Sequence, residues 1–170
     1  MNKLVAICGP TAVGKTAYSI EIAKRFDGEI VSCDSMQLYK YMDIGSAKPS
    51  IDELKQVKHH LIGIVEPSEN FSVAKYKDLA SASIDDILGR GKLPIIAGGT
   101  GLYLDALIFD LDFAAAPSDD SLRDELYKIA KEKGNLKLHA ILHECDPDSA
   151  QRIHPNNVRR VVRAIESAKS

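Results

Sequence analysis

The chain has 170 residues, of which 45% are apolar and 27% are charged, a balance typical of a soluble globular protein. This length suits one domain with a full core, or one domain with an appendage. The net charge of -2 and the pI near 6.2 exclude a uniformly basic nucleic-acid-binding protein. Any contact with nucleic acid must therefore depend on a local basic patch.

The cysteine pattern and the N-terminus indicate a cytoplasmic protein. Cys8, Cys33 and Cys145 are widely separated and form no Cys-x-x-Cys pair, which favours free thiols. The N-terminus lacks the basic start, apolar stretch and cleavage site of a signal peptide. No apolar run is long enough to cross a bilayer. We therefore expect a soluble protein that acts in the cytoplasm and has no membrane partner.

Short apolar runs alternate with helical periodicities in the first two thirds of the chain. The predicted strands are residues 4–8, 29–33, 60–65 and 93–97, and the predicted helices are residues 17–26, 71–89 and 102–108. The apolar face expected for the long helix 71–89 consists of Val73, Leu79, Ile84, Ile87 and Leu88. This alternation predicts an α/β fold, a parallel sheet flanked by helices as in P-loop NTPases.

The chain changes character near residues 114–117. After that point every periodic segment is helical, beginning with a helix that Ser118 starts, with Asp119 and Asp120 in its first turn, and that ends at Gly134. Three shorter helices are predicted near residues 136–143, 148–153 and 156–168. We therefore predict two parts, a P-loop α/β core at residues 1–113 and a helical appendage at residues 114–170.

Eight consecutive residues form a phosphate-binding pattern between a predicted strand and a predicted helix. They are Gly9, Pro10, Thr11, Ala12, Val13, Gly14, Lys15 and Thr16, a full Walker A match. The glycines allow backbone N–H groups to face an anion, and the helix N-terminus adds partial positive charge. We expect Lys15 to neutralise phosphate oxygens and the Thr16 hydroxyl to bind Mg²⁺. Phosphoryl transfer from ATP and retention of a leaving diphosphate both remain open.

A carboxylate follows the second predicted strand. Asp34 should lie at the sheet edge that faces the phosphate site, because ligands bind beyond the carboxyl ends of parallel strands. There it can serve as a general base or a magnesium ligand, and the simpler alternative is a capping aspartate before a turn. Residues 43–49 have no clear periodicity and are predicted to be a loop that lines a substrate channel. Residues 98–101 end a third strand at the same edge.

Several ordered blocks together resemble the tRNA dimethylallyltransferase (isopentenyltransferase) family. The blocks are residues 9–16, 34–39, 42–49, 59–62, 71–74, 94–103, 154–157 and 159–166. Members of this family usually continue well past the last of these blocks. Because the sequence ends at Ser170, we expect that it lacks the family's C-terminal part.

The resemblance implies transfer of a dimethylallyl group from dimethylallyl diphosphate to the exocyclic amino nitrogen of an adenosine beside the tRNA anticodon. In that family the P-loop holds the prenyl diphosphate, with Lys15 as the charge partner and Thr16 as the Mg²⁺ ligand. Asp34 would take the proton from the amino group, and Thr100 would lie near the reacting centre. The chain is expected to act as a monomer.

The resemblance also implies which residues contact the tRNA anticodon stem-loop. They are Asp34, Ser35, Met36, Gln37, Thr100, Arg123, Arg159, Arg160, Val161, Val162 and Arg163. The residues of the last helices allow two interpretations of their own. The arginines near the C-terminus, including Arg152, either bind RNA phosphates or form a solvated helix face that Glu166 balances.

Three other functions remain open from the residues alone. The first is a small-molecule kinase, although such an enzyme usually closes an arginine-bearing lid, and no arginine-rich lid stands out before residue 112. The second is a diphosphate- or RNA-binding fragment without turnover, and the third is a prenyltransferase for free adenine nucleotides. The spacing of His139 and His143 can hold zinc but lacks a third ligand. Cys33 is expected to be an unreactive packing residue.

Overall fold

The computed structural model describes residues 3–109, 111 and 120–169. Contacts divide the chain into two compact units, Met1–Asp112 and Phe113–Ser170, which we call the core unit and the helical unit. The predicted helix start at Ser118 and Asp119 lies outside the described residues. Across the described ranges, no helix is long and apolar enough to cross a membrane.

The core unit is built on one parallel sheet. Its elements are β1 (Val5–Cys8), α1 (Lys15–Arg25), β2 (Gly28–Cys33), α2 (Ile51–Leu54), β3 (His59–His60), α3 (Val73–Gly89), β4 (Leu93–Gly98) and α4 (Gly101–Ile108). The strand order is β1-β4-β2-β3, and every pairing is parallel. This architecture confirms the predicted α/β fold with a parallel sheet flanked by helices.

The register of the sheet brings three strand ends level. Gly98 at the end of β4 pairs with Cys8 of β1 on one side and with Cys33 of β2 on the other. All six residues of β2 are buried, as expected for a central strand covered on both faces. The loops that follow β1, β2 and β4 therefore leave the sheet at one edge.

The third strand is shorter than predicted. The sequence favours a strand at residues 60–65, whereas β3 contains only His59 and His60. The backbone of Leu61 and Gly63 is left-handed, with φ of 61° at both residues, and an extended strand does not continue through such residues. Val65 makes only an isolated parallel bridge, to Tyr39.

The buried face of α3 agrees with the predicted one only in part. Its buried residues are Tyr76, Ala80 and Ile87, whereas Leu79 is 43% exposed. Tyr76 donates a hydrogen bond from its hydroxyl to the Ser32 carbonyl at 3.0 Å and stacks on Tyr103. Predicted Ile87 is buried, and predicted Val73 and Ile84 pack against the core. The prediction was wrong for Leu79 and missed Tyr76, because it counted only large aliphatic side chains and a buried tyrosine with a partnered hydroxyl packs as well.

A buried carboxylate lies at the start of β2. Glu29 is 4% exposed, and Arg90 binds it through both terminal nitrogens while His60 Nε2 lies 2.7 Å from its Oε2. The hydrogen bonds from Arg90 lower the pKa of Glu29 to about 2, against the opposing effect of burial, and His60 and Lys58 contribute in the same direction as Arg90. This ion-pair cluster ties the end of α3 to the sheet.

The helical unit contains α5 (Asp120–Lys133), α6 (Asn135–Cys145), α7 (Pro147–Arg152) and α8 (Val158–Lys169). Its core residues are Leu126, Leu138, Leu142, Ala150, Val161, Val162 and Ile165. The Asp146 side chain caps α7 by accepting from Ser149 N at 2.9 Å, and Pro147 occupies the first turn. His139 Nε2 lies 2.8 Å from the Ile153 carbonyl oxygen, so this side chain links α6 to the end of α7.

Candidate functional site

The phosphate-binding loop connects β1 to α1. Ala12 and Gly14 are left-handed, with φ of 68° and 87°, which bends the chain sharply before the helix begins. The N-cap residue of α1 is Gly14, which makes no side-chain hydrogen bond to the first N–H groups of the helix. Such N–H groups, together with the helix dipole, favour an anion at this position.

Lys15 and Thr16 open α1 beside the loop. Lys15 Nζ donates to the Pro10 carbonyl at 2.6 Å, so the ammonium group lies across the loop that precedes it. The carbonyl of Thr16 accepts from the buried Ser19 hydroxyl at 2.8 Å, which fixes the first turn of α1. The two predicted phosphate and magnesium partners are therefore neighbours at the mouth of the P-loop.

Asp34 follows β2 and uses one carboxylate oxygen to hold its own loop. Its Oδ1 accepts from Met36 N at 2.9 Å and from Gln37 N at 3.4 Å, which is the capping arrangement that the sequence offered as the simpler alternative. Within the described part of the chain, its Oδ2 makes no hydrogen bond. The cap therefore leaves one carboxylate oxygen for chemistry.

Thr100 ties the loop after β4 to the loop after β2. Its Oγ1 accepts from Ser35 N at 2.9 Å, and its own N donates to the Cys33 carbonyl at 3.1 Å. Thr100 lies beside a small cavity of about 170 Å³ that Gly9 and Pro10 also line. Thr100 therefore holds Ser35, the residue after Asp34, near the start of the P-loop.

A larger cavity brings the P-loop and Asp34 together. Its volume is about 340 Å³, within the range of small-molecule sites, and Lys15, Thr16 and Asp34 all line it. Thr11, Ala12 and Gly14 line it from the P-loop as well. The P-loop and the Asp34 loop thus meet at this cavity, whereas the loop after β4 contributes only Gly98 to it and Thr100 lines the smaller cavity.

Ten lining residues were not among the predicted site residues, and four of these lie between β2 and α3. They are Ala47, Glu53, His59 and Ile62. A signal existed for two of them. Residues 43–49 were expected to line a channel, and Ser50 and Glu53 form a capping box that starts α2, an element the sequence analysis did not predict.

Both polar atoms of the Gln37 side-chain amide make hydrogen bonds within the protein. Its Oε1 accepts from the Ser32 hydroxyl at 3.1 Å, and its Nε2 donates to the Ala47 carbonyl at 2.9 Å. Lys48 holds the same segment, donating from Nζ to the Tyr39 carbonyl at 2.8 Å and to Asp43 Oδ1 at 2.6 Å. These contacts make the segment that precedes α2 a fixed wall of the cavity.

Comparison with known proteins assigns the family. Residues 37–170 match the IPP transferase family. The chain belongs to the IPP transferase family. This assignment confirms the resemblance that the sequence blocks indicated.

Relatives of this IPP transferase chain carry the family's activity in their names. A tRNA dimethylallyltransferase of Acetivibrio thermocellus is 58% identical over 166 residues, which cover 98% of this chain and 53% of the relative. Its counterpart in Finegoldia magna is 55% identical over 168 residues, covering 99% and 54%. The chain spans about half the length of the curated relatives it matches.

Solved structures of IPP transferases share the fold. The full-length tRNA isopentenylpyrophosphate transferase of Bacillus halodurans is 50% identical, with a TM-score of 0.66, and the match covers 99% of this chain and 56% of that one. A eukaryotic dimethylallyltransferase described as acting on tRNA is 35% identical, with a TM-score of 0.81, covering 98% and 41%.

In the helical unit of this IPP transferase chain, the predicted tRNA-contacting residues differ in their exposure to solvent. Arg159, Arg160 and Arg163 are exposed on α8. Val161 and Val162 are 0% and 1% exposed, so their side chains pack in the core of the unit, and the contact of this segment with tRNA stays a prediction. The alternation follows from the period of an amphipathic helix.

Arg123, another predicted tRNA-contacting residue, binds a buried carboxylate. Its Nε donates to Glu166 Oε1 at 2.9 Å, and Arg163 Nη1 lies 3.5 Å from the other oxygen of Glu166. Glu166 is 5% exposed, so its negative charge depends on these guanidinium groups. Arg123 therefore has a structural partner in the helical unit, and its contact with tRNA stays a prediction.

The weaker chemical candidates are structural in this IPP transferase chain. The Nε2 of His139 lies within hydrogen-bond reach of two backbone carbonyls, those of Ala150 and Ile153. No group of three or more His, Cys, Asp or Glu residues that could hold a metal occurs within the described ranges. Cys33 is buried, and burial raises the pKa of its thiol to about 11, which confirms an unreactive packing residue.

Proposed function

We propose that the protein transfers a dimethylallyl group from dimethylallyl diphosphate to the exocyclic amino nitrogen of the adenosine beside the tRNA anticodon. The observation that carries this proposal is the single cavity that Lys15 and Asp34 both line. One side of the cavity suits a diphosphate, and the other presents a carboxylate to an incoming amine. The names of the relatives support the same reaction.

The P-loop stabilises the departing diphosphate. As the bond between the prenyl carbon and the diphosphate oxygen breaks, negative charge grows on that oxygen. Lys15 and the first N–H groups of α1 lie where they stabilise this charge. In this proposal the loop, from Gly9 to Thr16, binds a leaving group and not a phosphate that is itself transferred.

Asp34 acts as the general base. The amino nitrogen forms its new bond to the prenyl carbon and gives up a proton, which Asp34 Oδ2 accepts. An aromatic amine is a weak nucleophile, so a positioned carboxylate assists as the proton leaves. The cap through Oδ1 holds the carboxylate in one orientation, which favours the transfer.

The cavity fits magnesium bound together with a diphosphate. Thr16 lines the cavity, and its hydroxyl is an oxygen ligand of the kind that Mg²⁺ prefers, which leaves the Asp34 carboxylate to accept the proton. Magnesium usually takes one or two protein ligands and completes its shell with substrate phosphates and water. When bound, it would add further charge stabilisation for the leaving diphosphate.

The acceptor adenosine must leave its base stack to enter the cavity, which costs least in a loop such as the anticodon loop. We propose that Ser35, Met36 and the backbone of Gln37 contact the extruded nucleoside, near Thr100. Exposed Arg159, Arg160 and Arg163 bind phosphates of the same RNA. A cytoplasmic location and a monomeric state stay predictions from the sequence.

A labelling experiment tests the proposal. The chain is incubated with labelled dimethylallyl diphosphate or ATP, with and without an unmodified anticodon stem-loop RNA. We expect prenyl label in the RNA only when the RNA contains the acceptor adenosine. Phosphate transfer from ATP without prenyl incorporation would establish the kinase instead, and binding without turnover would establish a binding fragment. Prenylation of free AMP without prenylation of RNA would assign the acceptor to nucleotides.

A further inference from the structure

His59, the first residue of β3, combines two observations. It lines the same cavity as Lys15 and Asp34. Its Nε2 is shielded from solvent and has no hydrogen-bond partner within the described residues. Buried polar atoms in folded proteins nearly always have a partner, so an unpartnered one beside a cavity indicates that something else supplies the bond.

The other ring nitrogen defines what Nε2 can do. Nδ1 lies 2.8 Å from the Val57 carbonyl oxygen, which only accepts hydrogen bonds. The hydrogen is therefore assigned to Nδ1, and the neutral ring presents a lone pair at Nε2. Burial lowers the pKa of His59, which keeps the ring neutral at physiological pH. Nε2 is thus an acceptor that requires a donor.

Glu53 adds a second acceptor to the same side of the cavity. Its Oε2 accepts from Ser50 N at 2.8 Å and from the Ser50 hydroxyl at 2.9 Å. These hydrogen bonds lower the pKa of Glu53, so the carboxylate is ionised and cannot donate. Neither Glu53 nor the Val57 carbonyl can therefore donate to Nε2, which leaves ordered water or a bound molecule as the donor.

We infer that His59 Nε2 accepts a hydrogen bond from the acceptor nucleoside. This inference rests on the proposed function, which supplies two candidate occupants. Dimethylallyl diphosphate carries no N–H, and its diphosphate is ionised and complexed near neutral pH, so it offers accepting oxygens to its surroundings. Adenosine carries an amino group and ribose hydroxyls, all of which donate. His59 thus distinguishes the nucleoside from the diphosphate and contributes to the choice of acceptor.

Two substitutions of His59 test the roles of its two ring nitrogens separately. His59→Asn keeps a donor near Nδ1 for the Val57 carbonyl but removes the acceptor at Nε2, whereas His59→Gln keeps an accepting oxygen near Nε2. We expect His59→Asn to weaken binding of the unmodified anticodon stem-loop RNA about tenfold, as for one lost buried hydrogen bond, and His59→Gln to stay within about threefold of the original chain. Affinity for dimethylallyl diphosphate should not change in either variant.

The outcomes separate this inference from the proposed function. Equal RNA affinity in His59→Asn and the original chain would overturn the inference. An equal loss of RNA affinity in His59→Asn and His59→Gln would overturn it as well. A loss of affinity for dimethylallyl diphosphate would assign His59 to that substrate instead. An original chain that binds neither RNA nor dimethylallyl diphosphate would overturn the proposed function itself. Two further RNAs identify the donor: one lacks the amino group of the acceptor adenosine, and the other lacks the 2′-hydroxyl of that adenosine. Removal of the group that donates to His59 weakens binding to the original chain but not to His59→Asn.

Discussion

Asp34 shows how one side chain serves structure and chemistry at once. Its two carboxylate oxygens have different surroundings, since Oδ1 caps the loop through two backbone N–H groups and Oδ2 does not share in that cap. The sequence offered the base and the cap as alternatives, and the geometry makes them compatible. This division of labour can be tested because asparagine retains the capping oxygen and removes the charge.

We predict that Asp34→Asn reduces prenyl transfer to RNA by at least 100-fold, since general bases typically contribute 10²–10⁴-fold. Its thermal stability and its affinity for dimethylallyl diphosphate should stay close to those of the original chain. Asp34→Ala should lose transfer to a similar extent and also about 1 kcal/mol of stability, because it removes the cap as well. Single-turnover rates and thermal melts measure the two effects, and full transfer by Asp34→Asn would remove Asp34 from the mechanism.

At the level of elements, the close approach of β2 and β4 positions the site. A Cβ added to Gly98 would lie 2.0 Å from the Cys33 carbonyl oxygen, a distance that no real contact reaches. Asp34 comes directly after Cys33, and Thr100 follows Gly98 by two residues. Only glycine at this position allows the two loops to leave the sheet side by side.

Gly98→Ala is therefore expected to destabilise the chain by about 1–3 kcal/mol, the usual cost of overpacking, and to reduce transfer by displacing the loop that carries Asp34. Gly89→Ala is the matched control, since a Cβ there would meet nothing within 4 Å and alanine is favoured in helices. Urea unfolding and transfer rates measure both variants. Equal stability and activity in Gly98→Ala and Gly89→Ala would show that the strand ends tolerate separation.

The ion-pair cluster around Glu29 predicts that the core unit loses stability at acidic pH. The pKa of Glu29 falls from 4.5 to about 2 on folding, chiefly through Arg90. A carboxylate with a lowered folded pKa stabilises the protein above its unfolded pKa and loses that contribution as pH falls through the folded one. Roughly 3 kcal/mol should disappear between about pH 5 and pH 2.

Urea unfolding at a series of pH values measures this loss. Glu29→Gln should be less stable than the original chain at pH 7 and nearly equal to it near pH 2, so the two stability curves converge in acid. The exposed Glu69→Gln is the control, because a surface pair such as Glu69 with Lys75 contributes little at any pH. Parallel curves for Glu29→Gln and the original chain would contradict the assigned role of the cluster.

For the whole molecule, the sequence predicted the parallel sheet and the position of the phosphate-binding loop, because periodicity and motif context determine both. Buried apolar runs located the sheet, and the Walker A pattern between a strand and a helix located the cavity. The end of the third strand depended on left-handed Leu61, which no pattern announces. The apolar period of α8 could have shown that Val161 and Val162 are buried, but the resemblance assigned that block to RNA contact as a whole.

The positions of two residues at the cavity emerged only from tertiary structure. Glu53 and His59 are distant in sequence from the P-loop, and neither forms part of a recognised catalytic pattern. His59 reaches the cavity because β3 pairs with β2, a contact that sequence spacing does not reveal, and Glu53 reaches it from α2. The two ends of the Gln37 amide likewise find their partners through the path of the loop between β2 and α2.

The most direct test of the central claim is which phosphorylated ligand the P-loop holds. Isothermal titration of the chain with dimethylallyl diphosphate, and separately with ATP, is performed in the presence of Mg²⁺. We predict that dimethylallyl diphosphate binds, that ATP binds more weakly, and that Lys15→Ala weakens diphosphate binding about 10–100-fold while Asp34→Asn leaves it unchanged. Binding of ATP without binding of dimethylallyl diphosphate, or equal diphosphate affinity in Lys15→Ala and the original chain, would contradict the account.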